Sequence, residues 1–221
     1  MKAERIVERI LKEKIIAIVR GISLADMIQT AGALLEGGIS SMEITFDHTS
    51  PQTIQETAAS IRSIKDFFGD TVNIGAGTVL SPEEVDMAVN AGADYIISPD
   101  SNRKVIERTK ALGKVSIPGA LTPSEICMAY EQGADLVKLF PAGALGPDYI
   151  RAVRAPLVHI PLCAVGGILP ENISGYLKAG IRCFGVGGNL VSAQAVQRRD
   201  FAWLTRAAER YRQALAEEGR E

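Results

Sequence analysis

The sequence is poor in the residues that signal disulfide, metal or membrane chemistry. It has three cysteines, Cys127, Cys163 and Cys183, in 221 residues. Their number is odd, they stand far apart and none sits at metal-ligand spacing. They read as reduced thiols of a cytoplasmic protein and not as a disulfide framework. Only two histidines occur, His48 and His159. Without a His, Cys and carboxylate cluster, no metal is expected, and no cofactor is implied. No apolar run is long enough to span a bilayer. The opening MKAERIVERILKEK carries charge on both sides of its apolar positions, which predicts an amphipathic helix and not a signal peptide. Charge of one sign is lacking too: the net charge is −2. That argues against nucleic acid or an anionic membrane as partner. Lysine, arginine, carboxylates and backbone groups are left to do any chemistry, on a small molecule.

What is present is a repeating pattern. Strands are predicted at Lys14–Arg20, Ser41–Phe46, Val72–Gly75, Tyr95–Ser98, Val115–Ile117, Leu136–Phe140, His159–Ala164 and Cys183–Val186. Helical windows fall between them, at Leu24–Glu36, Pro51–Asp66, Pro82–Ala91, Arg103–Leu112, Pro123–Gln132, Pro147–Arg154 and Pro170–Ala179, with a last helix over Ala202–Glu217. Ser81-Pro82-Glu83-Glu84 and Thr122-Pro123-Ser124-Glu125 read as an N-cap, a first-turn proline and first-turn acids. Helices close on Gly37-Gly38, Gly92, Gly133 or Gly180, residues suited to a left-handed C-cap. Eight such units predict a single α/β domain over residues 1–221: a (β/α)8 TIM barrel with an N-terminal helix. An open doubly wound sheet is the alternative, but no G-x-G-x-x-G follows the first strand.

In such a barrel the chemistry belongs at the C-terminal ends of the strands. Alternation in Leu136–Phe140 puts Lys138 and Phe140 on the inner face, opposite Val137 and Leu139. An unpaired ammonium is costly to bury, so an inward lysine favours its neutral, nucleophilic amine. A lysine snorkelling at a strand end is the plainer alternative. Glu43 alternates inward in Ser41–Phe46 and could act as general acid and base, or form a structural ion pair. Arg20 ends the first strand at the barrel mouth. Its planar fork suits a substrate carboxylate, and a surface ion pair is the alternative. Thr78, in Gly75-Ala76-Gly77-Thr78, offers a hydroxyl beside free N–H groups. Gly166 and Gly167 follow strand seven. Gly187, Gly188 and Asn189 follow strand eight and open a helical turn. These are the two places where this fold cradles phosphate, unless the glycines serve only tight turns. Pro99 would wall the pocket. His48 reads as a loop residue, and Arg206, Glu209 and Arg210 as a solvated face of the last helix.

The combination of Glu43-Ile44-Thr45-Phe46, Gly75-Ala76-Gly77-Thr78-Val79, Ile97-Ser98-Pro99, Ile117-Pro118-Gly119, Lys138-Leu139-Phe140-Pro141-Ala142, Gly166-Gly167 and Gly187-Gly188 resembles the 2-keto-3-deoxy-6-phosphogluconate aldolases. That family includes 4-hydroxy-2-oxoglutarate aldolases and phosphogalactonate relatives. The match runs from about Arg5 to Val191. The resemblance implies a metal-free class I aldolase, homotrimeric, cleaving a phosphorylated keto-deoxy sugar acid to pyruvate. By the same resemblance Lys138 forms the Schiff base and Glu43 moves protons. Thr78 would contact the keto acid, Pro99 and Phe140 would line the pocket, and the two glycine pairs would hold phosphate. Two positions depart from the pattern. Asp47 stands where some members carry a carboxylate-binding arginine, a role that falls here to Arg20. Asn189 stands where some carry serine. A sugar-phosphate isomerase, epimerase or synthase, or a non-catalytic phosphate binder, are the competing functions.

Overall fold

The computed structural model describes residues 2–218. Nine parallel strands form one sheet: β1 (Ile15–Val19), β2 (Ser41–Thr45), β3 (Asn73–Gly77), β4 (Tyr95–Ile97), β5 (Val115–Ile117), β6 (Gly119–Ala120), β7 (Val137–Leu139), β8 (Leu162–Val165) and β9 (Cys183–Val186). Their order is β5-β4-β3-β2-β1-β9-β8-β7-β6. β5 and β6 are two halves of one strand, split at Pro118, which has no N–H to give to the ladder. The first half pairs with β4 and the second with β7, and the Pro118 carbonyl accepts the Lys138 N–H at 2.8 Å. The split strand therefore joins the two ends of the order, giving the predicted eight-stranded barrel.

The helices are α1 (Lys2–Glu13), α2 (Met27–Glu36), α3 (Pro51–Phe68), α4 (Pro82–Asn90), α5 (Arg103–Ala111), α6 (Pro123–Glu131), α7 (Ala142–Arg154), α8 (Ile173–Lys178), α9 (Ala193–Gln197) and α10 (Phe201–Glu218). Ser81 and Thr122 cap α4 and α6 by accepting the N–H of Glu84 and Glu125, and at α6 Glu125 completes a capping box. Gly38, Gly92, Gly133 and Gly180 have the positive φ of a left-handed C-cap. Gly37 does not: a Cβ there would stand 2.4 Å from that of Ala208 on α10, so close packing is what requires it.

Two apolar layers hold the barrel. Strand residues such as Val137, Leu139, Ala164 and Phe184 pack outward against the helices. Ile16, Tyr95, Ile97, Val115, Ile117, Leu136, Cys163 and Cys183 fill the interior from the other face. Ile6 and Ile10 of α1 join this inner cluster, so the amphipathic first helix plugs one end of the barrel. Truncating a buried residue such as Ile10 costs roughly 2–5 kcal/mol. With one end plugged, the site must open at the other, where the strands end. All three cysteines are free, and burial together with Cys163 pushes the Cys183 thiol up.

Several boundaries differ from the sequence reading, and three differences bear on the site. β3 continues through Gly77, two residues beyond the predicted end at Gly75. α7 starts at Ala142, five residues before the predicted Pro147, and is interrupted at Gly146, whose φ is 74°. α9 is a short helix that the sequence pattern did not single out.

Candidate active site

β7 is three residues long, and its alternation turns Lys138 inward while Val137 and Leu139 face the helices. Its neighbours in register are Gly119 on β6 and Cys163 on β8. The side chain is 7% exposed. The ammonium nitrogen lies 5.1 Å from the centroid of the Phe140 ring, which lines the mouth just beyond the strand. Among the described residues the Lys138 ammonium makes no hydrogen bond or close ion pair. The fold thus buries a lysine and leaves its head uncommitted.

Glu43 comes from β2, where it pairs in register with Ile18 and Gly75. It is 1% exposed, and its Oε2 is buried without a hydrogen-bond partner. Among the described residues nothing pairs with that oxygen, and native folds rarely leave a buried carboxyl oxygen so. Burial raises the Glu43 carboxyl above the usual range, while the charges of Lys138 and Arg20 pull it back in part. The shift favours the acid form more than in a solvated carboxyl.

The glycines of β3 make room for this arrangement. A Cβ on Gly77 would stand 1.7 Å from Glu43 Oε1, and one on Gly75 would stand 2.0 Å from the Tyr95 ring. Tyr95 lies across that gap, and its hydroxyl donates to the Met42 carbonyl at 2.6 Å. It floors the site under Glu43. Thr78 follows β3 with φ 57°, a left-handed conformation that costs a β-branched residue strain. It accepts a hydrogen bond from Arg20 Nη2 at 3.3 Å, which joins the end of β1 to that of β3.

These groups meet in one cavity of about 570 Å3. Of the residues singled out from sequence, Arg20, Glu43, Thr78, Pro99, Lys138, Phe140, Gly166, Gly187 and Gly188 line it. Gly167 and Asn189 do not. Gly167 packs against Gly143, and Asn189 lines a neighbouring cleft. Ile18, Val165, Gly185, Val191 and Ala193 complete the cavity and were not singled out. Strand alternation could have found the first three, since Ile18 lies two before Arg20 and Val165 two after the inward Cys163. Asp47 points elsewhere: its carboxylate accepts the Thr49 N–H at 2.9 Å, shaping the turn into α3, and that bond holds it below the usual range. His48 is paired with Glu84 at 2.9 Å, outside the cavity. Arg206 and Arg210 lie on an exposed face of α10, as expected, and border the cleft beside Asn189.

At Gly187 and Gly188 the usual reasons for glycine are missing. Neither has a positive φ, and nothing lies within 4 Å of where a Cβ would stand. Their backbone N–H groups are thus open to close approach from the cavity. The turn they open is helical, with the Leu190 and Val191 N–H groups both donating to the Gly187 carbonyl at 2.8 Å.

The model of the KDPG and KHG aldolase family matches residues 6–207. The chain belongs to that family. The aldolase relatives include the 2-dehydro-3-deoxy-6-phosphogalactonate aldolase of Escherichia coli, 40% identical over 85% of this chain and 89% of its own length. A solved structure described as native KDPGal superposes with TM-score 0.84 at 36% identity, over 94% of this chain and 96% of that one. The KDPG aldolase of Legionella pneumophila, solved with pyruvate captured as a covalent carbinolamine, superposes with TM-score 0.82 at 27% identity, over 92% and 96% of the two chains. Among the described residues of this aldolase no group of three or more His, Cys, Asp or Glu could hold a metal ion. Among the described residues no helix is long and apolar enough to cross a membrane.

Proposed function

We propose that this chain is a lysine Schiff-base aldolase cleaving 2-keto-3-deoxy-6-phosphogluconate to pyruvate and glyceraldehyde 3-phosphate. Cleavage of 4-hydroxy-2-oxoglutarate to pyruvate and glyoxylate is its second reaction. The observation that carries the reading is an uncommitted buried lysine and an uncommitted buried carboxyl lining the same cavity.

The chemistry follows from their placement. Neutral Lys138 attacks the C2 ketone, and the carbinolamine loses water to leave an iminium. Glu43 in its acid form protonates the departing hydroxyl. As a carboxylate it then accepts the C4 hydroxyl proton. The C3–C4 electron pair moves into an enamine, the iminium nitrogen becomes neutral, and the aldehyde leaves. Protonation at C3 and hydrolysis release pyruvate and restore the amine. Arg20, steadied by Thr78, faces the substrate carboxylate, while Pro99 and Phe140 give the apolar walls. The bare N–H groups of Gly187 and Gly188, with Gly166 opposite, suit the phosphate.

A second reading has a specific observation behind it. The relative that is 40% identical acts on the phosphogalactonate, the C4 epimer, which yields the same two products. Assaying both epimers side by side decides between them. The homotrimer implied by the family resemblance belongs to the same proposal, and light scattering at three times the chain mass would support it.

The test is incubation with pyruvate and borohydride, followed by peptide mass mapping. A reduced pyruvyl adduct on Lys138, absent from Lys138→Ala, is expected. A folded protein with no adduct would sink the Schiff-base assignment and favour a sugar-phosphate isomerase or a non-catalytic phosphate binder.

A further inference from the structure

The cleft beside the active cavity has a volume of about 490 Å3 and lies against α10. Gly188 borders both spaces, and no atom lies within 4 Å of where its Cβ would stand. No side chain of Gly188 therefore partitions them. The cleft's fixed wall is α10, tied to the loop after β8 by the Tyr211 hydroxyl, which donates to the Ile168 carbonyl at 2.9 Å.

The donors on this wall divide into committed and free. Arg210 donates to Glu171 at 2.9 Å. Arg206 is different. Its carboxylate neighbour is Asp200, at 3.7 Å, beyond hydrogen-bond reach. Asp200 Oδ1 already accepts the Trp203 N–H at 3.1 Å, as the cap of α10. The Arg206 guanidinium therefore lines the cleft with its planar fork of donors unfilled. Among the described residues the Asn189 carboxamide makes no hydrogen bond either. Ser192 accepts the Ala195 N–H at 3.2 Å and keeps its own proton to donate. A guanidinium, a carboxamide and a hydroxyl lining one cleft with Gly188 make a donor set that suits a phosphate monoester.

We propose that this cleft is the outer half of the phosphate site. A phosphate met from inside by the N–H groups of Gly187 and Gly188 is met from outside by Arg206, with Asn189 and Ser192 beside it. The cleft thus takes phosphate esters, and Arg206 sets the preference for phosphorylated over unphosphorylated keto acids. The identity of the esterified substrate rests on the aldolase reading above. The cleft itself does not.

Two measurements test it. The first compares kcat/KM for the six-carbon phosphorylated substrate and for 4-hydroxy-2-oxoglutarate, which has no phosphate. Arg206→Ala should lose roughly five- to tenfold more on the phosphorylated substrate, the scale of one exposed charge-assisted hydrogen bond. Arg206→Lys, which keeps the charge without the fork, should recover part of the difference. The second is calorimetric titration with glycerol 3-phosphate, an ester that cannot react. The wild type should bind it, and Arg206→Ala should bind it roughly five- to tenfold more weakly. Equal losses on both substrates, or unchanged glycerol 3-phosphate affinity in folded Arg206→Ala, would overturn the assignment and leave the aldolase reading standing. A protein that traps no pyruvate, yet loses ester affinity on Arg206→Ala, would sink the aldolase reading and keep the cleft. A wild type that binds no glycerol 3-phosphate would overturn the cleft directly.

Discussion

A single methyl group at Gly77 should disable the proposed proton shuttle without touching any group that shuttles. Gly77 lies in β3 beside Glu43, and a Cβ there would stand 1.7 Å from Glu43 Oε1 and 2.4 Å from its carboxyl carbon. Ordinary contact begins at 3.4 Å, so the carboxyl must retreat by about 1.7 Å or the strands must part. Backbone strain is not involved, because Gly77 does not have a positive φ. A misplacement of about 1 Å can cost about 10²-fold in rate, and losing a general acid–base altogether costs about 10²–10⁴. Gly77→Ala should therefore lower kcat by about 10²–10³. The overpacked interior should cost roughly 1–3 kcal/mol, a fall in Tm of roughly 2–10 °C, which leaves the protein folded for assay. Pyruvate and borohydride should still label Lys138, only more slowly. The decisive comparison is a double-mutant cycle. In a Glu43→Gln background the Gly77→Ala change should cost little further activity, because the function it disturbs is already gone. A Gly77→Ala enzyme within about threefold of wild type, or a double variant showing the full product of the two single losses, would refute the coupling between these residues.

Three further outcomes follow from the same site. Burial raises the Glu43 carboxyl above its ordinary value of 4.5, so the folded state penalises the charged form. That penalty is absent below the unfolded value, grows as pH rises through the folded value and is complete above it. Glu43→Gln should therefore raise Tm more at about pH 8 than at about pH 4, and an equal gain at both would contradict the direction of the shift. Thr78→Gly removes both the left-handed strain at φ 57° and the hydroxyl that Arg20 reaches. Release of about 1 kcal/mol or more should hold or raise Tm while kcat/KM falls; a clear loss of stability would mean the strain estimate is wrong. Tyr95→Phe leaves the Met42 carbonyl without its donor at 2.6 Å, at a cost of about 1–3 kcal/mol, which calorimetry would register as a Tm lower by roughly 2–10 °C.

Lys138 and Glu43 were legible in the sequence because strand alternation is a local signal: Val137 and Leu139, or Met42 and Ile44, define an outer face within three residues. The caps at Ser81 and Thr122 were legible for the same reason, since each pairs with a residue three positions on. The third strand was ended too early, at Gly75, because glycine looks alike wherever it occurs. Whether it serves a positive φ, a crowding neighbour or a ligand depends on atoms far away in the chain, here Tyr95 and Glu43. Arg206 is exposed, as the sequence reading had it, but the cleft it borders was hidden for a parallel reason. An exposed charge on a helix face carries no mark of the loop it faces, and Gly188 is distant from it in sequence although both border one cleft. The structure separates these cases by a question that can be put to every glycine near the cavity: what would a methyl group strike? At Gly77 it strikes the Glu43 carboxyl, so that glycine serves the fold of the site. At Gly187 and Gly188 it strikes nothing. Neither chain conformation nor packing accounts for them, which is why the proposed function gives their backbone N–H groups to the phosphate.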